Sequence, residues 1–295
     1  MPESASRYTL KYLPGILYLI ATPIGNLEDI TLRALRILRD EVAVVACEDT
    51  RQTQKLLHHF EIRKPAIPCH EHNEVARAQE IVEILQRGDS VALVSDAGTP
   101  LISDPGYRVV TAVIEAGLVV VPLPGPSAVL AALAASGLPT NEFRFAGFLP
   151  PKQTARRKLL ATLAEEPATL ILYESPHRIL ESLQDIALEM GARRMALARE
   201  LTKLHEEFLR GSAAEIHAIL AARDSVKGEI TLVIGQAVAE ASTADPLEEV
   251  ARFEAQGVNR MDAIKMAAKR LGLPKREVYR VAAERGSNPV DKRRD

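Results

Sequence analysis

Between residues 16 and 123 the chain alternates short, continuous apolar runs with amphipathic segments. VAVVA at 42–46, SVALVS at 90–95 and LVVVPL at 118–123 show no polar alternation. A strand reads this way when both of its faces are covered, as in a parallel sheet between two layers of helices. The pattern predicts strands at 16–21, 42–47, 66–70, 90–95 and 118–123, with helices at 29–39, 50–60, 74–87 and 106–116 between them. This alternation points to an α/β domain with a largely parallel sheet. Asp29 stands where the first helix needs a cap.

A second set follows. It predicts a helix at 127–136, a strand at 143–149, a helix at 154–165, a strand at 168–174, a helix at 177–190, and strands near 194–200, 206–210 and 229–235. The last strands lie close together, so the second sheet is expected to be mixed. Residues 239–246, AEASTADP, read as a linker. Three short helical patterns at 247–255, 261–271 and 275–284 close the chain, punctuated by Gly257, Gly272 and Pro274, and resemble a helix-turn-helix module. The expected division is 1–124, an N-terminal α/β domain; 125–238, a second α/β domain; and 246–295, a basic three-helix tail.

A chain of 295 residues is long enough for two such domains. Its net charge of −2 hides an asymmetry: residues 246–295 carry twelve Lys/Arg against eight Asp/Glu, and the remainder 25 against 31. A basic tail on an acidic body points to nucleic acid, although a solvated helical surface has the same composition. Cys47 and Cys69 are the two cysteines and form no CxxC pair, which fits a reducing compartment and argues against a cysteine-built zinc or iron–sulfur site. The first residues lack the pattern of a signal peptide. The longest apolar region, 118–138, is broken by Pro122, Pro124, Gly125 and Pro126, short of the roughly 18–20 residues that span a bilayer. A soluble, cytoplasmic protein is expected, with disorder confined to the two ends and a segment near residue 242.

Ligands of open α/β sheets bind beyond the carboxyl ends of the strands. Five polar or Gly/Pro-rich loops follow the first five strands: TPIGN, CEDTR, HEHNE, SDAGTPLISDPG and PGPSA. In the fourth, Gly98 permits close backbone approach, Thr99 offers a hydroxyl, and Leu101 and Ile102 suit packing on a flat ring. Asp104-Pro105 fit the start of the next helix. Ser127 sits at a helix start, where free N–H groups meet an acceptor or where the side chain simply caps. Glu48 and Asp49 suit hydrogen bonds from ribose hydroxyls or general-base work; an ion pair with Arg51, with Thr50 capping, is the plainer alternative. On a strand, His70 and His72 would share one face and Glu71 the other. No third ligand stands in register, so hydrogen bonding to a polar substrate is preferred and no metal is expected. GxGxxG, the P-loop and GxSxG are absent, which removes the usual support for NAD, ATP and serine hydrolysis.

Taken in order, ATPIGNLEDIT, ACEDTR, HEHNE, SDAGTPLISDPG, PGPSA, GFLPPK, YESPHR and GEITLVIG resemble the tetrapyrrole methylase superfamily over about 15–235, and within it the branch that modifies ribosomal RNA. The tail resembles that branch's C-terminal extension. The resemblance implies two α/β domains with a cleft between them, S-adenosylmethionine as cofactor, and 2′-O-methylation of a cytidine ribose in the decoding region of 16S rRNA. It implies a homodimer acting on 16S rRNA or the small ribosomal subunit, with no role for DNA or a membrane. It places the methionine and sulfonium against Asp96, Gly98, Thr99, Pro100, Leu101 and Ile102, and the adenosine near Pro126, Ser127 and Ala128. Tyr173, Leu201, Glu229, Ile230 and Thr231 would close over the adenine. Corrin-precursor methylases carry Gly-Asp-Pro where this chain has Gly98-Thr99-Pro100, and a glycine-rich first loop where it has Thr22 to Asn26. Both departures favour RNA.

The acceptor would then face Thr22, Gly25, Asn26 and Asn73, with phosphates held by Arg51, Lys152, Arg156, Arg157 and Lys158. Glu48 and His70 lead as proton acceptors, followed by Asp49 and His72. Two other readings stay open: a methylase for a tetrapyrrole or another small molecule, and a non-catalytic RNA-binding protein of ribosome assembly.

Overall fold

The computed structural model describes residues 13–237, 245–271 and 273–284. The ends expected to be disordered and the segment near residue 242 lie outside the described residues.

The first sheet is built from β1 (Ile16–Ile20), β2 (Val42–Cys47), β3 (Ala66–Pro68), β4 (Ser90–Val94) and β5 (Val119–Leu123), in the order β3-β2-β4-β1-β5. All four pairings are parallel. Helices α1 (Leu32–Asp40) and α2 (Thr50–His59) cover one face, where Ile37 and Leu57 meet Ile20 and Val45. Helices α3 (Glu74–Gln86) and α4 (Tyr107–Glu115) cover the other, where Ile81 and Val109 meet Leu17 and Leu93. Burial on both faces is the physical reason the strands are apolar throughout. Because β1 lies between β4 and β5, the loops leaving these three strands adjoin on one rim.

The second sheet contains β6 (Phe143–Phe148), β7 (Thr169–Glu174), β8 (Met195–Arg199), β9 (Glu207–Gly211) and β10 (Ile230–Ile234), in the order β6-β7-β10-β8-β9. β6 and β7 are parallel and the other pairs antiparallel, so the sheet is mixed. Helix α5 (Ala128–Ser136) covers one face through Val129 and Leu133. Helices α6 (Gln153–Leu163), α7 (Ile179–Met190) and α8 (Ala213–Ala221) cover the other through Leu160, Leu183 and Ile216. At the C-terminal end, α9 (Pro246–Ala255), α10 (Arg260–Leu271) and α11 (Lys275–Glu284) pack around Phe253, Ile264 and Val278.

Four local features depart from the sequence pattern. Helix α8 was not foreseen, although Ser212 and Glu215 form a capping box at its start; AAEIHAILA is apolar nearly all round, so its periodicity is faint. Thr31, not Asp29, caps α1, and Asn26 caps a short 3-10 turn at Leu27–Asp29. Asp49, not Thr50, caps α2, accepting the N–H of Arg51 at 2.8 Å. β3 stops at Pro68, so His70 and His72 are not strand neighbours: the His70 N–H donates to Asn73 Oδ1 (2.8 Å) and the Asn73 N–H returns to the His70 carbonyl (3.0 Å), closing a turn.

Candidate active site

Polar side chains tie the rim loops together. Thr22 and Gly98 exchange both backbone hydrogen bonds at 2.9 Å. Thr22 Oγ1 donates to the Ser95 carbonyl (3.0 Å), Ser95 Oγ to the Gly98 carbonyl (2.9 Å), and Thr99 Oγ1 to the Pro126 carbonyl (3.1 Å). Irregular backbone on this rim is satisfied in this way without a sheet ladder. Within the fourth loop Gly98 has φ 86°, which glycine adopts readily. Leu101 (φ 72°) and Ser103 (φ 67°) share the left-handed region without that freedom.

Between these loops and the second sheet lies a cavity of about 350 Å³. The fourth loop lines it with Asp96, Gly98, Thr99 and Ile102, and the start of α5 adds Ser127 and Ala128. The second sheet contributes Tyr173, Glu229, Ile230 and Thr231. Residues predicted from four separate sequence stretches thus meet around one space. Four members of the same prediction do not line it. Leu101, at positive φ, is half-buried and packs against the core cluster that contains Leu93. Leu201 is buried with Ile24 and Val129. Pro126 contributes its carbonyl to Thr99, and Pro100 is buried.

The lining also contains Ile24, Ser103, Asp104, Phe148 and Glu174, which the sequence pattern did not single out. An apolar residue within the polar TPIGN turn was the available signal for Ile24. Asp104 was disguised as a helix cap. That cap comes instead from Glu74 of α3, whose Oε1 accepts the N–H groups of Gly106 (2.9 Å) and Arg108 (2.8 Å). A carboxylate at a helix start is favourable for the same reason whichever element supplies it.

The electrostatics are acidic. Burial, reinforced by Glu48 and Asp96, pushes the Asp104 carboxyl up to about 6. Burial and Asp96 also raise Glu48, with His70 acting against them. Asp49 is held down at about 2, chiefly by its hydrogen bonds with Arg51. Burial moves the Tyr173 hydroxyl up to about 12, and Asp104 and Glu229 add to it; the ring packs against Phe145 and Phe148 at centroid distances of 5.0 and 5.4 Å. His70 Nδ1 is buried and has no hydrogen-bond partner among the described residues, and its ring lies 6.1 Å from that of His72. Among the described residues, no group of three or more His, Cys, Asp or Glu is arranged to hold a metal ion.

Several residues expected on the acceptor side are already engaged within the protein. Thr22 is buried and its hydroxyl engaged. Both polar atoms of the Asn73 amide are taken, by the His70 N–H and the Pro68 carbonyl. Asn26 Oδ1 is taken by the N–H of Glu28. Gly25 is a packing position: a Cβ there would lie 2.3 Å from Lys203 Cγ and 3.0 Å from the Leu201 carbonyl oxygen. Arg156 is fully buried in α6, with Nε on Asp185 at 2.7 Å and Nη2 on Glu181 at 3.2 Å, so it is not available to a phosphate. Its neighbours Lys152, Arg157 and Lys158 are exposed, with Arg157 paired to Glu189.

A family model described as Tetrapyrrole (Corrin/Porphyrin) Methylases matches residues 16–217. The chain is 46% identical over 275 residues to ribosomal RNA small subunit methyltransferase I of Halalkalibacterium halodurans, covering 90% of this chain and 94% of that one. It is 45% identical over 273 residues to the protein of the same name from Bacillus subtilis, covering 90% and 93%. The crystal structure of the methyltransferase CobJ superposes with a TM-score of 0.57 at 20% identity, covering 76% of this chain and 95% of that one, and shares the fold. With two sheets of this topology and relatives of this identity along most of its length, the chain belongs to the tetrapyrrole (corrin/porphyrin) methylase family, in the branch of ribosomal RNA small subunit methyltransferase I.

Proposed function

We propose that this protein transfers a methyl group from S-adenosylmethionine to the 2′-oxygen of a cytidine ribose in the decoding region of 16S rRNA, acting in the cytoplasm on the small ribosomal subunit as a homodimer. The observation that carries the reading is the cavity in which Asp96, Gly98, Thr99 and Ile102 face Tyr173, Glu229 and Thr231; the names of the relatives support RNA as the acceptor. The lining fits S-adenosylmethionine. Its ammonium and sulfonium call for carboxylates, present as Asp96, Asp104 and Glu229, and its adenine for flat apolar walls, present as Ile102, Phe148 and Tyr173. When bound, the cofactor supplies a methyl group on a cationic sulfur.

The chain's own work is to orient and to move a proton. Holding the two reactants in register contributes about 7–11 kcal/mol to such reactions. A base that removes the hydroxyl proton adds about 10²–10⁴-fold. We assign that task to the group at the strand ends formed by Glu48, His70, Asp96 and Asp104, with Asp49 and His72 beside it. Lys152, Arg157 and Lys158, with the exposed Lys275, Arg276 and Arg280 of α11, form the basic surfaces for RNA phosphates. The division into 1–124, 125–238 and 246–295 is supported by α5, which packs on the second sheet although it follows the last strand of the first. No helix among the described residues is long and apolar enough to cross a membrane.

The test pairs a calorimetric titration of S-adenosylmethionine with tritiated methyl incorporation into small subunits that lack the modification, compared with naked 16S rRNA. Binding, and label on one cytidine ribose of the subunit, are expected. Binding without label in either RNA substrate would turn the reading to a small-molecule methylase. No binding at millimolar cofactor would turn it to a non-catalytic RNA-binding protein.

A further inference from the structure

We infer that Asp104 is the catalytic residue that takes the proton from the acceptor hydroxyl. The inference rests on the methyl-transfer reading above and goes beyond it by choosing one residue from the acidic group.

Asp104 precedes α4 in an Asp-Pro pair that reads as a cap, yet it caps nothing, because Glu74 accepts the N–H groups of Gly106 and Arg108. Asp104 lines the cavity with Ile102, Ser103, Phe148 and Tyr173, and no hydrogen bond or ion pair to its carboxyl is found among the described residues. The loop holds it there in a strained form, with Leu101 at φ 72° and Ser103 at φ 67°. Leu101 anchors one side: a Cβ on Gly106 would lie 3.3 Å from its Cδ1. The end of β6 closes the other, with Ser103 Oγ 4.0 Å from where a Cβ of Gly147 would stand. Strain of this kind persists where the surroundings over-determine it, and it clusters at functional sites.

The other ionisable groups around the cavity have partners or offsets. Asp96, after β4, accepts the Asp49 N–H. Glu174, on β7, is bound by Arg178 at 2.7 Å and Ser182 at 2.6 Å. Glu229, before β10, is bound by Lys203 at 3.1 Å. Glu48, after β2, has His70 as an opposing influence. Tyr173 stays protonated, with its hydroxyl at about 12. Asp104 has burial and two like charges, and titrates at about 6. A carboxylate of that strength is ionised at neutral pH and basic enough to accept a proton in the transition state.

In the step, the ribose O–H bond breaks and its proton passes to an Asp104 carboxylate oxygen as the O–CH₃ bond forms. The S–CH₃ bond opens with its electron pair left on sulfur. The positive sulfur and the negative carboxylate are both neutralised, leaving a thioether, a methylated ribose and a carboxylic acid that returns its proton to water.

In wild-type enzyme, kcat for small subunits should rise with pH along an acid limb below about 6, because the bound sulfonium lowers the Asp104 carboxyl from its value in the cofactor-free protein, and then level. Asp104→Asn should lose about 10²–10⁴-fold in kcat and lose this acid limb, with subunit KM little changed. Carbon-13 NMR of the cofactor-free protein should show the Asp104 carboxyl titrating near 6, and lower in Glu48→Gln. The cofactor-free Asp104→Asn protein should melt a few degrees higher above pH 6 but not below 3.8, because a carboxyl with a raised pKa destabilises the fold only when ionised. Unimpaired kcat with the wild-type profile in Asp104→Asn, or an Asp104 resonance titrating near 3.8, overturns the assignment. If the variant does not fold, the wild-type NMR titration decides. Should the wild type transfer no label to subunits, the functional reading falls and this step with it; should it transfer label while Asp104→Asn is unimpaired, only the assignment to Asp104 falls.

Discussion

The carboxylate of Asp96 accepts the backbone N–H of Asp49 at 3.1 Å, tying the loop after β4 to the loop after β2. Asp96 therefore belongs both to the cavity wall and to the support of the segment that carries Glu48. Asp96→Ala removes a charge and this link together. Loss of a hydrogen bond to a charged group costs about 1.5–3 kcal/mol, so S-adenosylmethionine affinity should fall by about 10- to 100-fold. Calorimetry on the purified variant measures it, and an unchanged Kd would remove Asp96 from the cofactor's contacts.

Gly25 is the contact between the first loop and the second sheet's loop at Leu201 to Lys203. The Lys203 side chain can bend away from a new Cβ, but the Leu201 carbonyl oxygen at 3.0 Å belongs to the backbone. Gly25→Ala should destabilise the protein by about 1–3 kcal/mol, the usual cost of overpacking. Urea unfolding reads this directly.

The run Arg156-Arg157-Lys158 separates into structural and surface roles. Asp185→Ala leaves the buried Arg156 guanidinium without its principal partner and should cost about 3–5 kcal/mol. Lys158→Ala should stay within about 0.5 kcal/mol of wild type in stability, while raising the KM for small subunits if the surface meets RNA. Thermal melts and subunit kinetics on the two variants separate these effects.

Glu207 is bound by Arg223 at 2.6 Å and Arg199 at 3.0 Å, and the Arg223 hydrogen bond chiefly holds its carboxyl down at about 2. A depressed acid stabilises the fold above its unfolded value, near 4.5, and that contribution disappears as pH falls towards 2. Glu207→Gln should therefore lower Tm at neutral pH, and the gap from wild type should close across that window. A constant gap from pH 7 to 2.5 would contradict the linkage.

Helix α11 exposes Lys275, Arg276 and Arg280. Replacing all three by Glu should weaken small-subunit binding and reduce the steepness of its salt dependence, by about one unit of slope for each phosphate no longer neutralised. S-adenosylmethionine affinity should not change, because the cavity lies between the two sheets. Filter binding across a salt series measures the slope; an unaltered slope would take α11 out of the RNA surface.

The sequence alone determined the layered architecture. Strands buried on both faces must be apolar throughout, and that requirement is written residue by residue in VAVVA, SVALVS and LVVVPL. It also placed the polar loops on one rim, because successive parallel strands release their loops on the same side. Only the tertiary structure decided which residues of those loops face the cavity. Leu101 and Ile102 are adjacent apolar residues, yet with Leu101 in a left-handed conformation one packs against the core and the other lines the cavity. Arg156 and Lys158 lie two apart in one basic run, yet one meets Asp185 across a helix interface and the other meets water. Asp104 reads as a helix cap until Glu74, thirty residues earlier, takes that place. In each case the deciding partner is distant in sequence, and local pattern carries no information about a partner that only folding brings near.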